Sequence, residues 1–249
     1  MKNNILEFNK IKEFFKDLKF EEASHSYSVG STSLKSVSHF ISDFYEKFDA
    51  DKMSELVATK RGLSKEEVLK EWEDIKNKAC ELGTKVHLFG EKYMFDRTLV
   101  PSNGYEEAIK SWISTIPEHI VPAIMELQMY NKEWKIAGTA DILLYDTENQ
   151  AFVLRDYKSN RDLFNNFQGK KLLYPFDDML DCPFSKYEIQ LSMYQLLFEQ
   201  TGFKISSRAL VWVKPNGTYE VIKTRDLRDK ILKLYESNRD NTENTVTLL

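Results

Sequence analysis

Asp156 and Lys158 stand one residue apart in Asp156-Tyr157-Lys158, at the end of a strand-like run, Phe152-Val153-Leu154-Arg155. Side chains alternate along a strand, so this carboxylate and ammonium share a face, roughly 7 Å apart along the backbone, while Tyr157 points the other way. A second carboxylate, Asp141, closes Gly138-Thr139-Ala140-Asp141 inside an otherwise apolar run. The short polar turn from Asp146 to Gln150 makes the two runs neighbours and lets Asp141 reach the side of Asp156. Two carboxylates aimed at one point repel unless a cation lies between them. Oxygen donors suit a hard divalent ion, Mg²⁺ or Mn²⁺. Such an ion acidifies bound water and polarises a phosphate, and Lys158 beside it can position the attacking water or neutralise charge growing on a phosphodiester. Taken alone, Asp-x-Lys is more often a solvent-facing ion pair on an edge strand.

His87, in Gly83-Thr84-Lys85-Val86-His87, adds a third kind of donor. A neutral imidazole is a metal ligand that favours slightly softer ions such as Mn²⁺. Helical counting places Gly83 and Gly90 beside it. Each glycine inside a helix costs about 1 kcal/mol relative to alanine, so a close neighbour is expected there. Gln190 and Tyr194 are four residues apart and share a helix face, where an amide can hold a phosphate, base edge or bound water and a ring can pack beside it.

The elements that must position these groups follow from periodicity. Ile5, Phe8, Ile11, Phe15 and Leu18 recur at helical spacing, followed by a short β-prone stretch, His25 to Val29. Ser36 can cap a helix from Val37 to about Phe48. Ser64-Lys65-Glu66-Glu67 reads as a capping box opening a long helix with the stripe Trp72, Ile75, Ala79, Leu82, Val86, Phe89 and Tyr93. Trp72, Trp112 and Cys80 are expected in the core, and His25, His39 and His119 read as surface or packing residues. Tyr105 to Ile116 is a further helix ended by Pro117. Strand-like runs follow at Ile124–Asn131, Trp134–Tyr145 and Ala151–Tyr157, then a helix at Tyr187–Gln200. Arg208–Lys214 and Thr218–Lys223 form a hairpin around Pro215-Asn216-Gly217, and a final helix starts near Arg225. This order predicts an α/β or α+β fold with a mixed sheet, flanked by helices and preceded by a helical N-terminal region.

Composition narrows the classes. The chain has 249 residues, 35 Lys+Arg against 39 Asp+Glu and a net charge of −4, which argues against bulk electrostatic coating of nucleic acid but not against a local basic groove. Its two distant cysteines, Cys80 and Cys182, cannot form a four-thiolate cluster or a disulfide framework, and point to a reducing compartment. The start lacks an apolar leader segment and the longest apolar run, Ala209 to Val213, is far too short for a bilayer, so a cytoplasmic protein without a membrane is expected. Between Ser159 and Lys186 runs a long segment without periodicity. Its first part, with Lys158, Arg161, Lys170 and Lys171 against Asp162, carries a net +3, interleaved with Phe164 and Phe167. Cations with aromatics suit a single strand, with Arg161, Lys170 and Lys171 guiding a DNA end and Asp177, Asp178 and Asp181 shaping the channel. An excursion that covers the sheet fits the same residues equally well.

In order and spacing, Gly-Thr-x-x-His, Gly-Thr-Ala-Asp, Asp-Tyr-Lys and Gln-x-x-x-Tyr resemble the motifs of the PD-(D/E)xK nuclease superfamily, most closely its RecB-like branch with phage-type exonucleases. The similarity covers roughly Glu66 to Val213, with a looser likeness at Ser36-Val37-Ser38. The resemblance implies a restriction-endonuclease-like core at 63–249, with residues 1–62 as a helical and β-hairpin region packed on it. It implies that His87, Asp141 and Asp156 bind the metal with the Tyr157 carbonyl, that Lys158 is the catalytic lysine, and that Gln190 and Tyr194 support the site and contact DNA. Glu126 matches an acidic position that binds a second metal or a water, or is an exposed strand-end carboxylate. Members with an iron–sulfur cluster use four cysteines, so no such cluster is expected. The function implied is a metal-dependent deoxyribonuclease using one or two Mg²⁺ or Mn²⁺ ions, an exonuclease on linear DNA ends in phage or bacterial recombination or repair. Its partners would be DNA, further copies of itself and a recombination protein. A structure-specific or restriction-type endonuclease and a non-catalytic nucleic-acid-binding relative are the alternatives. A two-carboxylate glycosidase needs neither the metal nor the lysine.

Overall fold

The computed structural model describes residues 2–22 and 24–236. Its centre is the meander β4 (Ile120–Asn131), β5 (Ile136–Asp146) and β6 (Ala151–Lys158), in which both β4 and β6 run antiparallel to β5. A crossover through helix α6 (Pro183–Glu199) brings β7 (Ile205–Val213) parallel to β6, and β8 (Tyr219–Lys223) closes that edge as an antiparallel hairpin partner. On the other side β1 (Leu18–Glu21), β2 (Ser26–Val29) and β3 (Thr32–Ser36) form an antiparallel meander. β3 joins the main sheet by pairing Lys35 and Ser36 parallel with Ile136 and Ala137 of β5. The result is a mixed sheet of eight strands.

Helices cover both faces. α1 (Lys2–Phe14), the short α2 (Val37–Ile41) and α6 lie over one, around Ile11, Val37, Phe152, Met193 and Leu197. The C-terminal part of α4 (Lys65–Phe95) and α5 (Gly104–Ser114) lie over the other, around Val86, Tyr93, Ile109, Trp112 and Tyr157. α3 (Ala50–Arg61) buries only Ser54 and Ala58, so no apolar stripe announces it. Its ends are nonetheless well marked: the Asp49 carboxylate accepts the Lys52 N–H, and Gly62 stops the helix at φ 67°. No helix among the described residues is long and apolar enough to cross a membrane.

Several expectations are corrected. The helix from Val37 ends at Ile41 and passes through a 3₁₀ turn (Ser42–Phe44), because the Ser42 hydroxyl donates to the His39 carbonyl and competes with helix continuation. The capping box at Ser64 is present, but the stripe of α4 faces a core only in its second half. Upstream, α4 buries Val68 and meets α3 and its approach through Arg61–Glu71, Lys65–Glu55 and Phe48–Trp72. Trp72 is therefore half-buried, and Ile75 and Cys80 are exposed rather than in the core. The final helix begins at 228, not 225, because the Asp226 carboxylate accepts the Arg228 N–H and starts the turn there. The long segment after β6 is largely a cover, with Leu163, Leu172, Phe176 and Met179 fully buried.

Candidate active site

The sheet opens where the acids meet. β4 occupies one edge of β5 throughout, while on the other edge β3 takes Ile136 and Ala137 and β6 takes Ile142 to Asp146. Residues 138–141 are left between them without a ladder partner on that side. β6 parts from β5 after Arg155, so Asp156, Tyr157 and Lys158 pair only with β7. The Asp141 carboxylate fills the fork, accepting the Tyr157 N–H at 3.1 Å in place of a strand carbonyl. The fork thus sets Asp141 and Asp156 side by side by the same parting that frees their backbone.

α4 delivers His87 to this fork. Its ring nitrogens lie 3.2 Å from Asp141 Oδ2 and 3.1 Å from the Tyr157 carbonyl oxygen. β4 delivers Glu126, which falls opposite Asp141 in the register between Met125–Ile142 and Leu127–Ala140, with its backbone turned to φ 49°. Donor atoms of His87, Glu126 and Asp141 lie within 4.8 Å of one another, a spacing a single cation can span. Asp156, almost wholly buried, is paired through its Oδ2 with the Lys158 ammonium. A nitrogen and two carboxylate groups at this spacing fit a divalent ion.

Burial and neighbouring like charge act together on the acids of this site. Glu126 remains open to solvent in the cleft, but the surrounding protein, then Asp141, Glu91 and Asp156, push its pKa up to about 8. Burial, then the Asp141 charge, also raises Asp156 against the opposing pull of Lys158. Burial would depress Lys158, but Asp156 and Asp141 outweigh it and keep the ammonium charged. Glu91, one helical turn beyond His87, is an acid that the motif spacing does not single out. Its i+4 position on the His87 face is the available signal.

Glycines explain how the rings fit. A Cβ on Gly90 would lie 2.3 Å from the Tyr157 ring, so the glycine lets that ring lie against α4. Gly83 borders open space instead, along the groove. A Cβ on Gly138 would come within 2.7 Å of Tyr194, whose ring packs over the fork. Gln190 donates to the Tyr194 hydroxyl at 3.0 Å, and its own carbonyl oxygen is buried without a partner.

A family model described as the PD-(D/E)XK nuclease superfamily matches residues 39–246. The chain belongs to the PD-(D/E)XK nuclease superfamily. A search of curated proteins finds no match. Its mixed sheet flanked by helices is consistent with the restriction-endonuclease-like core implied by the motifs, and membership supports a metal-dependent nuclease.

In this superfamily member two clefts meet at His87 and Lys158. One, about 330 Å³, holds Glu126, Asp141, Asp156, Gln190 and Tyr194. The other, about 520 Å³, runs between α4 and the end of β6, past Lys76, Gly83, Tyr105, Arg161 and Tyr187. Lys158 Nζ lies 4.4 Å from the Tyr187 ring centre, in the position of a cation over an aromatic face. Arg161 thus joins the site, whereas Lys170 and Lys171 do not. Lys170 is paired with Glu46 in a separate groove, and Lys171 bridges to Leu180. Asp178 and Asp181 are likewise held, by Lys230 and Lys186.

Proposed function

We propose that the protein is a deoxyribonuclease that hydrolyses phosphodiester bonds at the ends of linear DNA, with Mg²⁺ or Mn²⁺. The observation that carries this reading is the convergence of His87, Glu126 and Asp141 donor atoms within 4.8 Å, beside the buried Asp156–Lys158 pair. His87, Asp141 and Asp156 would hold the metal with the Tyr157 carbonyl, and Glu126 a second ion or a water. The bound ion supplies Lewis acidity towards the phosphate and an acidified water. Lys158, kept charged by its two aspartates, positions the nucleophile and offsets charge on the reacting phosphate. Gln190 and Tyr194, joined by their hydrogen bond, line the cleft and support the strand there. Arg161 takes a phosphate in the adjoining groove, and Lys170 and Lys171 meet the strand farther out, Lys170 by exchanging Glu46 for a phosphate.

A role in phage or bacterial recombination or repair fits the likeness to RecB-like and phage-type exonucleases, as does a cytoplasmic setting. Residues 1–62 act as an annex on the 63–249 core, supported by Ile11, Val37 and Phe44 within the main apolar cluster. Digestion of end-labelled linear DNA beside a covalently closed circle, with Mn²⁺ and with EDTA, tests the function. Loss of the linear substrate alone is expected. Equal cutting of the circle would contradict the exonuclease, and metal-independent cutting would contradict the site.

A further inference from the structure

The acid-lined cleft has a wall that the chemistry of the fork leaves unused. Phe20, at the end of β1, His25, in the turn before β2, and Tyr27, in β2, line the same cleft as Glu126, Asp141 and Asp156. Their rings are set against one another: Phe20 and Tyr27 at 4.7 Å between centres, and His25 edge-on to Phe20 at 5.1 Å. Tyr27 is buried among Leu18, Leu34 and Ala137 and donates or accepts a hydrogen bond with Thr139 at 3.0 Å, which fixes the platform to β5 two residues from Asp141. His25 differs. Its backbone lies in the left-handed region at φ 48°, its side chain is exposed, and the imidazole forms no hydrogen bond among the described residues. A packing cluster accounts for Tyr27 but leaves the exposed imidazole beside the acids without a role.

We propose that Phe20 and His25, held by Tyr27, form a stacking platform for an unpaired base at the end of the strand, so that the site accepts a single-stranded terminus. This rests on the nuclease reading above and names the form of its substrate. Stacking is the interaction open to such a wall, because every base has a π face; in a duplex only the terminal pair exposes one, as part of a base pair with two backbones. The cleft's size, about 330 Å³, favours a nucleotide over a base pair with two backbones. The cations lie at the other end, where Lys76 and Arg161 line the second groove, so the phosphates of the following nucleotides run there while the end base rests on the rings.

The test is binding of a short single-stranded oligonucleotide, with Mn²⁺, to the Lys158→Ala protein, measured by fluorescence anisotropy with an intact or an abasic nucleotide at either end. Removing the base at one end is expected to weaken binding about tenfold or more. In the added presence of His25→Ala, or of Phe20→Leu, which keeps an apolar contact with Tyr27, the same removal should cost much less. Unchanged melting temperatures would show that both variants are folded. An equal penalty in all three proteins would overturn the platform alone. No binding of any oligonucleotide by the Lys158→Ala protein would overturn the nuclease reading beneath it.

Discussion

Two regions of this molecule bury acids in opposite ways. At the C-terminal side of the core, Glu188 on α6 is almost fully buried and receives the Arg225 N–H at 2.9 Å and the Arg225 Nε at 3.0 Å. Asp226 nearby is drawn well below the usual carboxylate range, first by its bond to Arg228. Every charge there has an opposite charge or a directed donor, and the network ties α6 and β7 to the helix that follows. At the fork the arrangement is reversed: Glu126, Asp141 and Asp156 converge, and the carboxylate pKa values of Glu126 and Asp156 go up instead of down. The first region stabilises the fold as it stands, whereas the second gathers like charge that a bound cation would offset. Acids of like charge gather at the fork, and acids held each by an arginine lie where elements are joined.

The largest effect that separates the regions is on activity. Lys158→Ala should lower metal-dependent DNA cleavage by at least about 10³-fold in an initial-rate assay, with the protein still folded by circular dichroism. A variant that cuts normally would place the chemistry elsewhere. In the other region Arg225→Ala strands the Glu188 carboxylate and should cost about 2 kcal/mol in urea denaturation. That is less than a fully buried pair would lose, because about half of the Arg225 side chain is in solvent. Cleavage by the folded variant should be unaltered.

A smaller effect is the pH dependence of the metal-free protein. Glu126, pushed up to about 8 from an ordinary value of 4.5, keeps a proton in the native state that the unfolded chain gives up. Stability contributed by that proton is present below about pH 4.5 and is lost as pH rises through 8. Thermal melts in EDTA should therefore fall across this window, and Glu126→Gln should flatten the decline. Affinity for Mn²⁺ should rise over the same window as binding displaces the proton. A flat profile in the wild type would remove the repulsion ascribed to the fork. The smallest effect belongs to a control outside both regions: Lys85→Ala breaks an exposed pair with Glu81 on α4 and should leave the urea midpoint unmoved.

Much of the fork was legible in the sequence because it is written in residue type and strand alternation. Asp156, Lys158 and Asp141 needed only a short turn between two strands to be brought together, and Gly90 pointed to a close neighbour, the Tyr157 ring, whereas Gly83 borders open space. Glu126 was legible as an acid but not as the residue opposite Asp141, since its left-handed backbone and its register depend on β5. β1 and β3 escaped because four- and five-residue strands with polar outward positions carry little periodicity, and with them the Phe20 and His25 wall was lost. Cys80 misled because stripe spacing says which residues share a helix face, not where the sheet beneath the helix ends. Lys170 was legible as a cation, but its chain position did not show that Glu46 lies within reach.

The central claim is that the converging acids exist to hold a catalytic cation. Cleavage of end-labelled linear DNA by the wild type and by Asp156→Asn, titrated with Mn²⁺ at pH 8, tests it most directly. The account predicts activity that rises with Mn²⁺, vanishes with EDTA and is lost in the variant at every Mn²⁺ concentration. Cleavage by Asp156→Asn at the wild-type rate, or wild-type cleavage that ignores the metal, would contradict it.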